Sequence, residues 1–136
     1  MKKVIVFGTF DGIHPGHLDF FKQAKEHGDF LVAVVGRDST VEKIKGKKPA
    51  NKQQHRLIEV YNVPEVDYVS LGDKEDPYKI IEEQKPDVVC LGYDQNSFTK
   101  ELENELEKRG IKAEIVRLKA FKEEKYKSSK LNPSNS

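Results

Sequence analysis

The sequence predicts an α/β domain: a three-layer sandwich in which five parallel strands form one sheet between helices. Three observations support this class. Short apolar runs of strand length recur along the chain, segments of helical spacing lie between them, and Gly or Pro falls at most boundaries. A continuously apolar run such as Phe30–Val35 is typical of a parallel sheet covered on both faces. The chain of 136 residues is long enough for one such domain.

Each element follows from its own pattern. The apolar runs predict strands at 4–7, 30–35, 66–71, 86–92 and 111–118. Periodic apolar positions predict helices at 17–26, 51–61, 77–84 and 97–108. Asn51 is the expected cap of the second helix and Pro77 opens the third, while Gly28 and Gly110 end the first and last. We assign residues 1–129 to the domain and 130–136 to a short polar tail.

Composition narrows the functional classes. Lys and Arg number 24 and Asp and Glu number 23, so no overall charge favours nucleic acid, and we expect no nucleic-acid partner. The single cysteine, Cys90, excludes an internal disulfide and a metal–thiolate cluster, and its apolar neighbours predict that it is buried. Because no apolar stretch reaches the length of a membrane span or a signal peptide core, we expect a cytoplasmic protein with no membrane partner.

The turn between the first strand and the first helix carries the strongest chemical signal. It contains Gly-Thr-Phe-Asp at 8–11 and His-Pro-Gly-His at 14–17. The amide groups that open a helix have no intrahelical partner, Gly16 allows a ligand to approach the backbone, and two histidines can donate to phosphate oxygens. This pattern predicts a phosphate site. The alternative is a tight turn in which both histidines only cap or pack.

Other phosphate and metal motifs fit less well. The turn has neither Gly-x-Gly-x-x-Gly nor the Gly-Lys-Ser/Thr of a P-loop. A metal hydrolase built on Asp11, His14 and His17 stays an alternative, although histidines three apart at a turn are an uncertain ligand pair. We therefore expect no metal site built from side chains.

Further candidates lie beyond the second strand. Arg37 and Asp38 follow its carboxyl end, where open α/β sheets place ligand contacts. The lysine-rich segment 43–52 is predicted to be a mobile basic loop, which by default is solvated. The sharper hypothesis is that it closes over a triphosphate, with Lys45 neutralising the departing pyrophosphate.

The paired motifs at 8–11 and 14–17 resemble those of the cytidylyltransferase-like nucleotidyltransferase family, and the resemblance runs from Lys3 to about Ser129. It implies a Rossmann-like fold of the HxGH type and transfer of a nucleotidyl group from a nucleoside triphosphate to a phosphate-bearing acceptor, with release of pyrophosphate. The Leu-Gly-Tyr-Asp-Gln run at 91–95 is most similar to the archaeal-type FAD synthetases, which use ATP and FMN. Two alternatives stay open: a CTP-dependent enzyme acting on glycerol 3-phosphate or a similar alcohol phosphate, and an inactive nucleotide-binding module.

The resemblance also implies residue roles, Mg²⁺ bound with the nucleotide, and a homodimer. The expected catalytic residues are His14, His17 and Lys45. The expected nucleotide-binding residues are Gly8, Thr9, Phe10, Asp11, Gly16, Arg56, Gly92, Asp94, Gln95, Arg117, Ser128 and Ser129. The expected acceptor-binding residues are Arg37 and Asp38. The tail departs from the family pattern, because Pro133 leaves little room for the C-terminal helix that the serines would open.

Overall fold

The computed structural model describes residues 1–95 and 101–121. Its five parallel strands form one sheet in the order β3-β2-β1-β4-β5. The strands are β1 (Lys3–Gly8), β2 (Phe30–Val35), β3 (Tyr68–Leu71), β4 (Val88–Leu91) and β5 (Glu114–Arg117). The helices are α1 (Pro15–Lys25), α2 (Asp38–Lys45), α3 (Gln53–Tyr61), α4 (Lys79–Gln84) and α5 (Leu102–Lys108). The predicted α/β class and the five-stranded parallel sheet are confirmed.

Helices cover both faces of the sheet. Alternate side chains of β1 point to opposite sides, so Val4 and Val6 join one buried cluster and Ile5 joins the other. The first cluster includes Phe21 of α1 and Val60 of α3. The second cluster is covered by side chains of α4 and α5: Ile80, Ile81, Leu102 and Leu106. This arrangement is the three-layer sandwich that the apolar strands predict.

The strand order places the carboxyl end of β1 at the point where the direction of the chain across the sheet reverses. β1 pairs with β2 on one side and with β4 on the other, so the chain reverses its direction of travel across the sheet beside β1. In open parallel sheets, ligands bind outside the carboxyl ends of the strands at this point of reversal. The β1–α1 turn with its two histidines leaves β1 at this point.

The prediction of a loop over 43–52 is wrong for its first part. Asp38–Lys45 forms helix α2, and Gly46 ends it in the left-handed conformation at φ 80°. The helix buries only Val41 and exposes its lysines, so the charged residues concealed the apolar spacing of Val41 and Ile44. The exposed lysine-rich stretch that follows Gly46 has no regular structure up to α3.

Element ends differ from the predictions in several places. Lys52 rather than Asn51 occupies the N-cap position of α3, and its side chain makes no capping hydrogen bond. The side chain of Asn51 instead donates to Asp11. α1 begins at Pro15, two residues earlier than predicted, because His14 caps it. Part of the predicted helix 97–108 and all of the predicted tail 130–136 lie outside the described residues.

Cys90 is buried in β4, as its neighbours predict. Burial, with a smaller effect of the Glu114 carboxylate, raises the pKa of its thiol to about 12. None of the helices within 1–95 and 101–121 is both long enough and apolar enough to cross a lipid bilayer.

Candidate active site

A cavity of about 1270 Å³ opens at the carboxyl ends of the strands. It is larger than a pocket for a single drug-sized ligand, which typically measures about 300–1,000 Å³. The β1–α1 turn lies at its centre because β1 is the central strand. The predicted site residues that line it are Gly8, Thr9, Phe10, Asp11, His14, Gly16, His17, Arg37, Lys45, Gly92, Asp94 and Gln95.

The two histidines are held by backbone hydrogen bonds at the start of α1. Nδ1 of His14 accepts from the Gly16 amide at 3.0 Å, and Nδ1 of His17 accepts from the His14 amide at 3.3 Å. The rings stack with their centroids 3.8 Å apart. A Cβ atom at residue 16 would lie 2.8 Å from the His14 ring, so this cap requires Gly16.

Capping and phosphate binding are compatible in this arrangement. Because Nδ1 of His14 accepts a hydrogen bond, the neutral ring carries its proton on Nε2. That N–H can donate to a phosphate oxygen in the cavity that His14 lines. The structure therefore gives His14 a capping role and leaves it a donor for a ligand.

Phe10 holds the turn in an unusual conformation. Its φ is 52°, in the left-handed region that costs a non-glycine residue roughly 1–2 kcal/mol. The side chain is buried, with its ring 4.9 Å from that of Phe21 and 5.6 Å from that of His17. This aromatic packing offsets the backbone strain and fixes the turn beside the histidines.

The charge state of His17 responds to its surroundings. Burial lowers the pKa of His17, and the charges of His14 and Lys45 lower it further, while a hydrogen bond with the Gly12 backbone opposes them. The neutral ring is therefore favoured before an anion binds. Lys45 lies in the last turn of α2 and lines the same cavity, so this helix brings a cation close to the histidines.

This proximity predicts a shift in the titration of His17. Replacing Lys45 by glutamine removes a nearby positive charge, so the pKa of His17 should rise. The imidazole nitrogen signals in an NMR pH titration measure the change. Lys22→Gln, an exposed substitution further along α1, should leave the titration unchanged. An unchanged His17 titration in Lys45→Gln would show that the two groups do not interact.

Asp11 ties the lysine-rich segment to the turn. Its carboxylate accepts from the Ala50 amide at 2.6 Å and from the backbone and side-chain nitrogens of Asn51 at 2.9 Å each. Burial raises the pKa of Asp11, but these hydrogen bonds outweigh burial and lower it overall. The carboxylate is therefore engaged in holding a loop.

In the part of the chain that the structure describes, no three His, Cys, Asp or Glu side chains form a metal-binding group, so the metal hydrolase gains no support.

We expect Asp11→Ala to loosen the segment that follows α2. The substitution removes three hydrogen bonds to the carboxylate. One bond to a charged group contributes about 1.5–3 kcal/mol, so the segment should open at least roughly tenfold more often. Trypsin should then cut after Lys45, Lys47 or Lys52 at a correspondingly higher rate. Asp29→Ala is the matched control, because Asp29 accepts only the distant Lys2 amide among its described contacts. Equal cleavage rates in the two variants would contradict the role of Asp11.

Arg56 lies beneath the site and is fully buried. Nη1 donates to the carbonyls of Thr9 and Gly36 at 2.8 Å each, and Nη2 donates to Asp38 at 2.7 Å. Nε donates to the Asn51 carbonyl at 2.9 Å. One guanidinium group thus joins the β1–α1 turn, the end of β2, the start of α2 and the entry to α3. This geometry makes Arg56 and Asp38 positioning residues, and their direct contacts with ligands stay predictions.

Arg117 supports the other side of the cavity in a similar way. Its Nη1 donates to the carbonyls of Gly92 and Gln95 at 2.7 and 2.8 Å. The Gln95 side chain accepts from the Gly92 amide at 3.1 Å and donates to the Phe7 carbonyl at 3.4 Å. The loop after β4 is therefore held against β1. A contact of Arg117 with phosphate stays a prediction, and Ser128 and Ser129 lie outside the described residues.

Several residues that line the cavity are not among those predicted from the sequence. The missed residues are Phe7, Pro15, Asp19, Phe20, Val34, Gly36, Thr40, Val41, Ile44, Gly72, Asp73, Pro77, Tyr93, Lys119 and Phe121. Those in α2 could have been found from their spacing of three and four residues, which marks one helical face. Pro15, Asp19 and Phe20 belong to α1, beside the predicted histidines. The remaining residues lie at or after strand ends that the sheet order brings together.

Comparison with known proteins agrees with this geometry. A family model described as cytidylyltransferase-like matches residues 5–132, which is nearly the whole chain. The chain belongs to the cytidylyltransferase-like family. The family predicted from the paired motifs is therefore confirmed.

Relatives of this cytidylyltransferase-like chain carry a consistent name. A protein named FAD synthase from Aciduliprofundum boonei is 47% identical over 132 residues, which are 97% of this chain and 85% of the relative. A second FAD synthase, from Ferroglobus placidus, is 48% identical over 120 residues, 88% of this chain and 78% of the relative.

Solved structures of other proteins share the fold. A protein from Thermoplasma volcanium GSS1, titled a lipopolysaccharide core biosynthesis protein, superposes with a TM-score of 0.84 at 40% identity, covering 89% of this chain and 98% of that one. The pantoate-beta-alanine ligase of Francisella tularensis superposes with a TM-score of 0.64 at 15% identity, covering 86% of this chain and 58% of that one. The second likeness concerns the fold alone.

Proposed function

We propose that this protein is an FAD synthase, a nucleotidyltransferase that joins the AMP part of ATP to the phosphate of FMN and releases pyrophosphate. One observation carries the reaction class: two histidines at the end of the central strand lie in a cavity of about 1270 Å³ that extends to both sides of them. The substrates are supported by the FAD synthase relatives, which are similar over most of this chain.

Nucleotidyl transfer needs little covalent chemistry from the protein, so catalysis depends mainly on positioning the substrates and stabilising the developing negative charge. A phosphate oxygen of FMN attacks the α-phosphorus of ATP, a new phosphorus–oxygen bond forms, and the bond to the oxygen bridging the α- and β-phosphates breaks. His14 Nε2 donates to a phosphate oxygen as negative charge grows there, and the His17 ring does the same by exchanging its hydrogen bond with the Gly12 backbone for one with phosphate. The amides of Thr9 and Phe10 line the α-phosphate, and Lys45 balances the charge of the departing pyrophosphate.

We propose that Mg²⁺ enters with the nucleotide. Asp11, a carboxylate within the turn, already binds backbone amides, and the described residues offer no group of three metal-binding side chains. The phosphate oxygens of ATP are therefore its main ligands in this proposal, and when bound it neutralises phosphate charge.

Four reactions test the proposed function. The protein is incubated with Mg²⁺ and each pairing of ATP or CTP with FMN or glycerol 3-phosphate, and pyrophosphate and dinucleotide products are measured by chromatography. We expect FAD and pyrophosphate in equal amounts from ATP and FMN. Turnover with CTP and glycerol 3-phosphate instead would support the cytidylyltransferase alternative. No product from any pair, with nucleotide still bound, would support the inactive binding module.

Two further properties are proposed with the function. We expect the protein to act in the cytoplasm as a homodimer, by analogy with glycerol-3-phosphate enzymes of the family. Light scattering coupled to size-exclusion chromatography should give about twice the mass of the 15.6 kDa chain. A mass equal to one chain would contradict the dimer.

A further inference from the structure

The segment that follows β5 is fixed to helix α1 by a side chain. The Leu118 amide still donates to the Leu91 carbonyl at 2.7 Å, as in a strand ladder. Lys119 is paired differently. Its amide donates to Oε1 of Gln23 at 2.9 Å, and its carbonyl accepts from Nε2 of Gln23 at 2.9 Å. The Gln23 amide group therefore takes the place of a neighbouring strand at the residue where sheet pairing ends.

Asp19 fixes the orientation of the Gln23 amide group. Its Oδ2 accepts from Nε2 of Gln23 at 2.7 Å, from a position one turn earlier in α1. Because Nε2 also donates to the Lys119 carbonyl, both of its protons have acceptors, and Oε1 is the atom that accepts from the Lys119 amide. This arrangement fixes the Lys119 backbone relative to the helix that carries His17 and is capped by His14.

The same segment continues to the start of α1. A Cβ atom at residue 16 would lie 4.0 Å from the Cβ atom of Phe121, so the chain passes along α1 from Gln23 toward Gly16. Lys119 and Phe121 both line the cavity. The segment held by Gln23 therefore forms the part of the cavity wall that adjoins the histidine turn.

Lys119 brings an exposed cation to the cavity, and its ammonium group makes no ion pair within the described part of the chain. Lys45 lines the cavity from the other side, because α2 follows β2 and Lys119 follows β5, with β1 between them. In-line transfer places the attacking phosphate and the departing pyrophosphate on opposite sides of the α-phosphorus, and both are negatively charged. A cation on each side of the histidines matches this distribution of charge.

We propose that Gln23 is a positioning residue that holds Lys119 where its ammonium group binds a substrate phosphate. The inference rests on the proposed function and adds to it a second cation and the residue that places it. Gln23 lies outside the cavity wall as described, so it acts through Lys119. The phosphate belongs to the nucleotide or to the acceptor, since both carry this group, and the experiment distinguishes the two.

Ligand titrations of the full chain test the contact of Lys119. A non-hydrolysable ATP analogue with Mg²⁺ and, separately, FMN are titrated by isothermal titration calorimetry. Lys119→Gln should raise the Kd of one of these two ligands about tenfold, the effect of losing one hydrogen bond to a charged group. The ligand that is affected identifies the phosphate, and Lys119→Arg should retain most of the affinity. Unchanged Kd values for both ligands in Lys119→Gln would overturn the proposal.

A double-mutant cycle separates positioning from a merely structural contact. Gln23→Met keeps roughly the size of the side chain and removes its hydrogen bonds, so it should raise the same Kd about fivefold. The double variant should lose about tenfold, no more than Lys119→Gln alone, because both residues act through one contact. Gln54→Met, at an exposed glutamine of α3, is the matched control and should bind as wild type. Independent effects, which multiply to about fiftyfold, or an unchanged Kd in Gln23→Met would contradict the role of Gln23.

These titrations involve no turnover, so they separate the inference from the proposed function. Absence of FAD formation by wild type would remove the proposed function, while the coupled loss of affinity would still support Gln23 and Lys119. FAD formation by wild type with unaltered Kd values in both variants would overturn the inference alone. No binding of either ligand by wild type would contradict both.

Discussion

Replacing His17 by alanine is expected to lower kcat for nucleotidyl transfer by about 10²–10³, the effect of removing one preorganised donor from a charged transition state. His17 stacks on His14 and lies beside Phe10 in the wall of the cavity. His17 itself belongs to neither of the two buried clusters of the core. The main loss should therefore fall on kcat, with far-UV circular dichroism unchanged and only a modest fall in melting temperature from the lost hydrogen bond to the His14 amide.

His27→Ala provides the control for this experiment. His27 follows α1 and lies outside the cavity wall as described, so its removal should leave kcat unchanged. Both variants are measured with ATP and FMN at saturating concentrations, by release of pyrophosphate. A folded His17→Ala protein with wild-type kcat would remove the histidine pair from the mechanism.

Among the substitutions proposed for this protein, Arg56→Ala should lower the free energy of unfolding the most. Its guanidinium group is fully buried and donates to the carbonyls of Thr9 and Gly36 and to the Asp38 carboxylate. Its removal leaves these carbonyl groups without a donor, which costs about 1–3 kcal/mol each, whereas the Asp38 side chain is 38% exposed and can be solvated. We expect the free energy of unfolding, measured by urea denaturation, to fall by about 3 kcal/mol or more. Arg56→Lys should recover little of it, because an ammonium group cannot reproduce the planar set of donors.

His55→Ala is the matched neighbour on α3. The His55 side chain is 56% exposed, and a substitution there should change the free energy of unfolding by less than about 0.5 kcal/mol. The pKa of Asp38 provides a second measurement. The hydrogen bond from Arg56 is the largest cause that lowers that pKa, so in Arg56→Ala the pKa of Asp38 should rise. Arg56→Ala with wild-type stability and an unchanged Asp38 titration would contradict the role of Arg56.

The Asp38–Arg56 ion pair also predicts how the free energy of unfolding changes with pH. Because folding lowers the pKa of Asp38, the pair stabilises the fold above the unfolded pKa of about 3.9 and loses that contribution as the pH falls through the folded pKa. The ion pair should therefore stabilise the folded state at neutral pH and lose this contribution in acid.

The parts of the fold that are locally encoded could be predicted. The three inner strands, β1, β2 and β4, are apolar runs because both of their faces are covered. The histidine turn carries its residues within one short segment. Helix α2 was missed because exposed lysines surround its single buried residue, Val41. The positive φ of Phe10 could not be predicted either, since it depends on packing against Phe21 and His17.

The long-range contacts of the site could not be predicted from one sequence. Arg56 is separated from Thr9 by 47 residues, and its role depends on carbonyl groups that any residue type could supply. Asp11 binds amides 39 and 40 residues away for the same reason. The sequence pattern identified which residues belong to the site, but not which of them contact a ligand and which hold the others in place.

The central claim is that the reacting phosphates lie against His14 and His17. The chain contains 4 histidines, so imidazole nitrogen NMR spectra can follow each one during titration with a non-hydrolysable ATP analogue and Mg²⁺. We expect the signals of His14 and His17 to shift together as the nucleotide binds, while those of His27 and His55 stay unchanged. Binding of the nucleotide with no change at His14 and His17 would contradict the account.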